Sequence, residues 1–236
     1  MKNLLIKLCS LDGVSGNEKS VLYYISEEIM PFADSLYYDR AGNLVAFKKG
    51  KKAPCKKVVF AAHADEVGLV IKSVEDDGTL LFDDIGILAS SLPTRRVFVG
   101  DKKLPGVIGS KPIHLVPKGE RGKKAKYEDL YIDIGALSKS EAEEYVSVGD
   151  SVSFDSECVM LSDNILKAKA VDDRAGCAVL INLIKSELEY DTYFVFSYRE
   201  YRRYPRLWWT HTLRRCRASD YSPRILHREC RAPLFL

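Results

Sequence analysis

No Cys-x-x-Cys pair occurs among the six cysteines of this 236-residue chain, which stand apart at Cys9, Cys55, Cys158, Cys177, Cys216 and Cys230. That spacing excludes a zinc ribbon and offers no disulfide framework, so reduced thiols and a cytoplasmic location are expected. No apolar run approaches the roughly 20 residues needed to span a bilayer, and no membrane partner is expected. The opening stretch Met1-Lys-Asn-Leu-Leu-Ile-Lys7 is broken by Lys7 and then Asp12, too early for the apolar segment of an export signal. Tryptophan is missing before Trp208, and lysine is missing from residue 198 onward. These last two absences divide the chain into two compositions.

Charge draws the same line. The whole chain is formally +3, but residues 1–197 hold 26 basic and 30 acidic side chains, a balance of −4. Residues 198–236 hold ten arginines against Glu200, Asp220 and Glu229, a balance of +7. Apolar periodicity also stops there. The segment reads as sequence translated out of frame: Arg203-Tyr-Pro-Arg206 can be written in codons that, shifted by one nucleotide, spell Gly-Ile-Arg-Gly. A disordered tail that does not pack on the rest is expected. The competing expectation is an arginine-rich, aromatic tail that binds RNA or DNA through phosphate and stacking contacts, and it is the less favoured one.

What remains is ample for a buried core, at 46% hydrophobic residues over the chain. Leu4, Leu5, Leu8 and Leu11 predict a short amphipathic helix. Ser15-Gly-Asn-Glu18 reads as a capping box before a second helix that stops near Pro31. Residues 35–39 and 44–47 flank Ala41-Gly-Asn43 as a hairpin, and Val58-Val-Phe-Ala-Ala62 is a buried strand ending at His63. From Glu66 the period changes to two, and short strands near 67–74, 79–82, 96–99, 107–109, 131–134 and 151–154 predict a small barrel or sandwich. A helix is expected over 138–145 and a basic loop over 119–126. The α/β pattern resumes with a strand over 165–171, a helix from Arg174 to Leu188 and a further parallel strand over 191–197. The expected fold is α/β: a mostly parallel-sheet domain over 1–66 and 163–197, incomplete, with an inserted small β-barrel domain over 67–162.

Ligands gather at strand tips in such sheets. His63 offers a ring nitrogen, Asp65 falls on the same side of an extended chain, and Asp172 is expected at the tip of the later strand. An imidazole and a carboxylate suit a divalent ion such as zinc, and a carboxylate can bridge two ions. Two such ions would suit amide hydrolysis. The rival reading of Asp172-Asp173-Arg174 is a helix N-cap with a local ion pair.

Three stretches occur in one order and register: Ala61-Ala-His-Ala-Asp-Glu-Val-Gly68, Tyr131-Ile-Asp-Ile-Gly-Ala-Leu-Ser138 with Glu141-Ala-Glu-Glu144, and Ala170-Val-Asp-Asp-Arg-Ala175. Over about residues 1–197 the chain resembles the glutamyl/leucyl and tetrahedral aminopeptidase family of dinuclear metallopeptidases, some of which carry an endoglucanase label. The resemblance implies a barrel that makes subunit contacts, large homo-oligomers and removal of N-terminal residues from peptides. It implies two divalent metal ions, zinc or cobalt. By position, His63 would bind one metal, Asp172 would bridge both, and Asp65 would steady the site from behind. The family's Glu-Glu pair, general base then ligand, falls where this chain reads Tyr198-Arg-Glu-Tyr-Arg-Arg203. Glu200 takes the base position and Tyr201 replaces the ligand. The expectation is therefore an aminopeptidase by family whose chain is itself inactive. Two alternatives are a non-catalytic fragment that joins subunits and another two-metal hydrolase, such as a carboxypeptidase or deacylase. The Ile132-Asp-Ile-Gly-Ala136 stretch of the inserted module disfavours the second.

Overall fold

The structure, a computed structural model, describes residues 1–52, 58–110 and 126–198. Its chain divides into two compact units. Among the described residues, the first comprises those within 1–8, 21–64 and 172–198, and the second those within 9–20 and 65–171.

In the first unit, α1 (Lys2–Ser10) and α2 (Lys19–Ile29) each contribute part of their length. Val21, Leu22, Ile25 and Ile29 recur at helical spacing and are buried, which fixes the inward face of α2. Pro31 then tightens the chain into a short 3-10 turn over Met30–Phe32. The capping box does not form around Ser15: the helix starts at Lys19, and the Glu18 carboxylate accepts the Gly16 N–H at 2.8 Å. Strands β1 (Ser35–Tyr38) and β2 (Leu44–Lys48) make the expected hairpin. Asp39 holds its turn, taking the N–H groups of Ala41 and Asn43 on one carboxylate oxygen and the Asn43 amide on the other.

The four-stranded sheet runs β1-β2-β12-β3, where β3 is Val58–His63 and β12 is Thr192–Ser197. β12 lies parallel to β3 and antiparallel to β2. The α/β expectation holds, but the described sheet is mixed rather than mostly parallel, because the β1–β2 hairpin supplies half its strands. The helix α4 (Val171–Lys185) precedes β12 and turns Cys177, Ala178, Ile181 and Ile184 inward. Its Lys185 pairs with Glu28 of α2, and Lys48 of β2 donates to its Ile184 carbonyl at 2.5 Å.

The second unit is a closed barrel of order β4-β5-β8-β7-β6-β9. Its strands are β4 (Gly68–Val74), β5 (Leu80–Ile85), β6 (Arg96–Val99), β7 (Leu104–Ser110), β8 (Leu130–Asp133) and β9 (Ser151–Phe154). Alternating side chains point into the barrel, so Leu69, Ile71, Leu80, Phe82, Val97, Val99, Ile108, Ile132 and Val152 form one buried cluster. Ser138 caps α3 (Lys139–Glu143) by accepting the Glu141 N–H, while Glu141 reaches back to the Leu137 N–H. A separate two-stranded ladder joins β10 (Val159–Ser162) to β11 (Ile165–Lys167). The loop expected at 119–126 and the tail from residue 199 lie outside the described residues, apart from Lys126.

Candidate metal centre

β3 is apolar to Ala62 and then delivers His63, whose side chain is 12% exposed. The His63 backbone is fixed from two directions. It pairs with Ser197 at the end of β12, and the Cys177 thiol on α4 donates to its carbonyl at 3.3 Å.

Asp172 arrives by a different route from the one its sequence suggests. The strand expected over 165–171 ends at Lys167 and pairs with β10 outside the four-stranded sheet. Ala170 then takes a left-handed φ of 54°, which breaks the extended run. Asp172 and Asp173 keep non-helical dihedrals at the head of α4, and the peptide between them is cis. The carboxylate is thus presented by the start of a helix rather than by a strand tip.

The two aspartates divide the work. Asp173 Oδ1 accepts the Gly176 N–H at 2.9 Å, satisfying a donor that a helix N-terminus leaves open. A Cβ on Gly176 would lie 2.4 Å from that oxygen, so the cap demands glycine. Burial pushes the Asp173 carboxyl above its ordinary pKa; the Gly176 N–H and the His63 ring oppose the shift, and the Asp172 charge adds to it. Asp172, 87% exposed, turns the other way and places Oδ1 3.1 Å from His63 Nε2. The local ion pair expected of Arg174 does not form. Its side chain is fully buried and Nη1 donates to the Leu8 carbonyl at 2.8 Å, near the C-terminus of α1.

Asp65 is fully buried and belongs to the second unit. β3 ends at His63, so the alternation that would aim Asp65 to the same side does not extend to it. Glu200 and Tyr201 lie outside the described residues.

The pair His63 and Asp172 fits part of a metal site. Imidazole nitrogen and carboxylate oxygen are suitable donors for a borderline divalent ion, and the exposed carboxylate leaves an open side. Among the described residues, however, no group of three or more His, Cys, Asp or Glu side chains could hold an ion. A catalytic zinc takes three protein ligands, so a two-ion centre of zinc or cobalt is not completed by these residues.

Sequence reading passed over Cys177, whose thiol holds the His63 carbonyl.

A family profile described as M42 glutamyl aminopeptidase matches residues 42–201. A protein of Acetivibrio thermocellus named as a candidate aminopeptidase is 37% identical over 204 residues, covering 85% of this chain and 58% of its own. Among solved structures, an endoglucanase of Thermotoga maritima superposes with a TM-score of 0.72 at 40% identity, over 83% of this chain and 58% of that one. A TET peptidase of Pyrococcus horikoshii, described as assembling into a tetrahedron or a large octahedral shell, gives 0.73 at 35% identity, over 84% and 61%. The chain therefore spans somewhat over half the length of the relatives it matches. With the profile running through β3, the barrel and α4, the chain belongs to the M42 glutamyl aminopeptidase family.

Proposed function

We propose that the chain carries part of a metal-dependent aminopeptidase that removes N-terminal residues from peptides, with His63 and Asp172 as metal ligands. The observation that carries this reading is the 3.1 Å approach of His63 Nε2 to Asp172 Oδ1 across 109 residues of sequence. When bound, a divalent ion such as zinc or cobalt supplies Lewis acidity to a peptide carbonyl and an activated water. The chain's own residues would orient the donors: β3 and Cys177 set the His63 backbone, and the Asp173 cap sets the start of α4. Asp65 would steady the site from behind and Glu200 would act as general base. Tyr201 stands at the place where the family resemblance expects a carboxylate ligand. With two donors and no third among the described residues, the 236-residue chain binds metal without turning substrate over.

Purified chain loaded with zinc or cobalt is expected to leave aminoacyl-anilides intact, while calorimetry detects metal binding that His63→Ala abolishes. Hydrolysis that vanishes in His63→Ala would refute the inactivity. Metal binding unchanged in both His63→Ala and Asp172→Asn would refute the ligand assignment.

We also propose that copies of the chain associate through the barrel, with peptides as substrate and no nucleic acid or membrane partner; the assembly described for the Pyrococcus horikoshii peptidase supports association as such. No helix among the described residues is long and apolar enough to cross a membrane, which suits the proposed cytoplasmic location. Size-exclusion chromatography that returns a monomer at all concentrations would remove the assembly.

A further inference from the structure

The chain passes between its two units four times, at residues 8–9, 20–21, 64–65 and 171–172. His63 and Asp172 stand within two residues of the last two crossings, on the first-unit side. Just inside the second unit, three residues along from each, stand Glu66 and Lys169. Lys169 Nζ lies 2.7 Å from Glu66 Oε1 and 2.5 Å from Asp12 Oδ1. Both partners in the first contact are enclosed, with side chains 11% and 5% exposed.

The pair is also locked from the N-terminal side. Glu66 Oε1 accepts the Gly13 N–H at 2.9 Å, and the Glu66 backbone exchanges hydrogen bonds with Gly13 and Ser15. Asp12 completes the group through Lys103, at 2.6 Å. Two carboxylates and two ammonium groups thus balance in one small network, and removing one member leaves a buried charge without its counterion. Such a network holds a single arrangement well and tolerates others poorly.

We infer that Lys169 is a positioning residue for the His63–Asp172 pair: by fastening the chain after His63 to the chain before Asp172, it brings the two ligands out side by side. Within the second unit, the Lys169–Glu66 contact joins residues 65–67 to residues 168–171. Leu166 and Lys167 are fixed to β10 instead, so Lys169 is the first side chain that can tie this segment to the one leaving β3. The inference rests on the reading of His63 and Asp172 as partners, yet it does not require that either bind metal.

The test reads the His63 ring directly in the full, metal-free chain. With four histidines in the sequence, long-range proton–nitrogen spectra are simple, and His63→Gln assigns the signal. Asp172→Asn supplies the Nε2 position of a ring without its carboxylate. Lys169→Met is expected to move the His63 Nε2 resonance to the position seen in Asp172→Asn, and Lys169→Arg is expected to bring it back. Lys103→Met, which touches the network at Asp12 alone, is expected to lower the melting temperature and leave the His63 signal in place. Should Lys169→Met not fold, Glu66→Gln carries the same expectation. A folded Lys169→Met or Glu66→Gln with an unmoved His63 resonance would overturn the inference. Equal displacement by Lys103→Met would do so too, since the effect would then be general loosening. A failed metal titration, by contrast, would count against the proposed function and leave these spectra unaffected.

Discussion

β4 of the barrel has hydrogen-bonded neighbours on both sides, β5 and β9, whereas β3 of the four-stranded sheet has β12 on one side and no strand on the other among the described residues. The burial follows the pairing. Barrel side chains facing inward, such as Leu69, Leu80 and Ile132, are 0% exposed, but Phe60 in the middle of β3 is 42% exposed despite stacking on Phe194. Closure removes the unpaired edge that an open sheet must otherwise manage. The stretch Val58-Val-Phe-Ala-Ala62 of β3 has no charge and no proline, two of the usual edge protections. Among the described residues, the closed barrel holds no candidate ligand, and the His63–Asp172 pair belongs to the unit whose sheet shows an unpaired edge.

The largest expected effect breaks the barrel. Leu80→Ala opens a cavity in a closed cluster that cannot collapse easily, and is expected to cost about 3 kcal/mol. Phe60→Ala removes more atoms, yet from the open edge, and is expected to cost about 1 kcal/mol, mostly the lost ring contact. Urea midpoints for the two variants test the contrast, and equal losses would mean that β3 is covered as well as β4. Hydrogen exchange sharpens it without mutation: amides on the outward side of β3 are expected to exchange well before those of β4 and β5.

A smaller loss is expected at the head of α4. Gly176→Ala would drive a methyl into the Asp173 carboxylate, so either the cap breaks or the helix start shifts. The expected loss is about 1–2 kcal/mol, the usual worth of an N-cap. Asp173→Ala should cost a similar amount, and the double variant little more than either, because both remove one interaction. Additive losses would show that Gly176 is required for another reason.

Much of this arrangement was legible from residue order because short-range rules dictate it. Alternation placed all six barrel strands, and the 3.6-residue period placed α1, α2 and α4. Asp39 with Ala41-Gly-Asn43 announced the hairpin. The approach to Asp172 was not legible, since Ile165-Leu-Lys-Ala-Lys-Ala-Val171 alternates well enough for a strand. What decides it is the left-handed turn at Ala170 and the hairpin that pairs Ile165–Lys167 with β10, neither of which shows in the alternation. Strand alternation does not reach Asp65 either, because β3 stops two residues before it. His63 and Asp172 nevertheless meet, because a helix N-terminus and a strand end can deliver side chains to one place by different backbones.

The smallest expected effect concerns charge rather than packing, and asks whether the completeness of the second unit extends to its ion pairs. Burial alone would raise the Asp12 carboxyl, but hydrogen bonds and charge from Lys103 and Lys169 outweigh it and hold Asp12 below its usual 3.8. A carboxylate depressed in the folded state binds its proton more readily when unfolded. Its stabilisation is therefore fully present above the unfolded pKa, near 4, and is lost as the pH falls through the lower folded value. Asp12→Asn removes that contribution at every pH. The melting temperatures of wild type and Asp12→Asn are thus expected to differ most between pH 5 and 7, and to converge as the pH drops below about 4. Every other side chain is common to both proteins, so the difference isolates the network. A gap that persists unchanged to pH 3 would mean that Asp12 acts through its shape, and that Lys169 finds its charge partner in Glu66 alone.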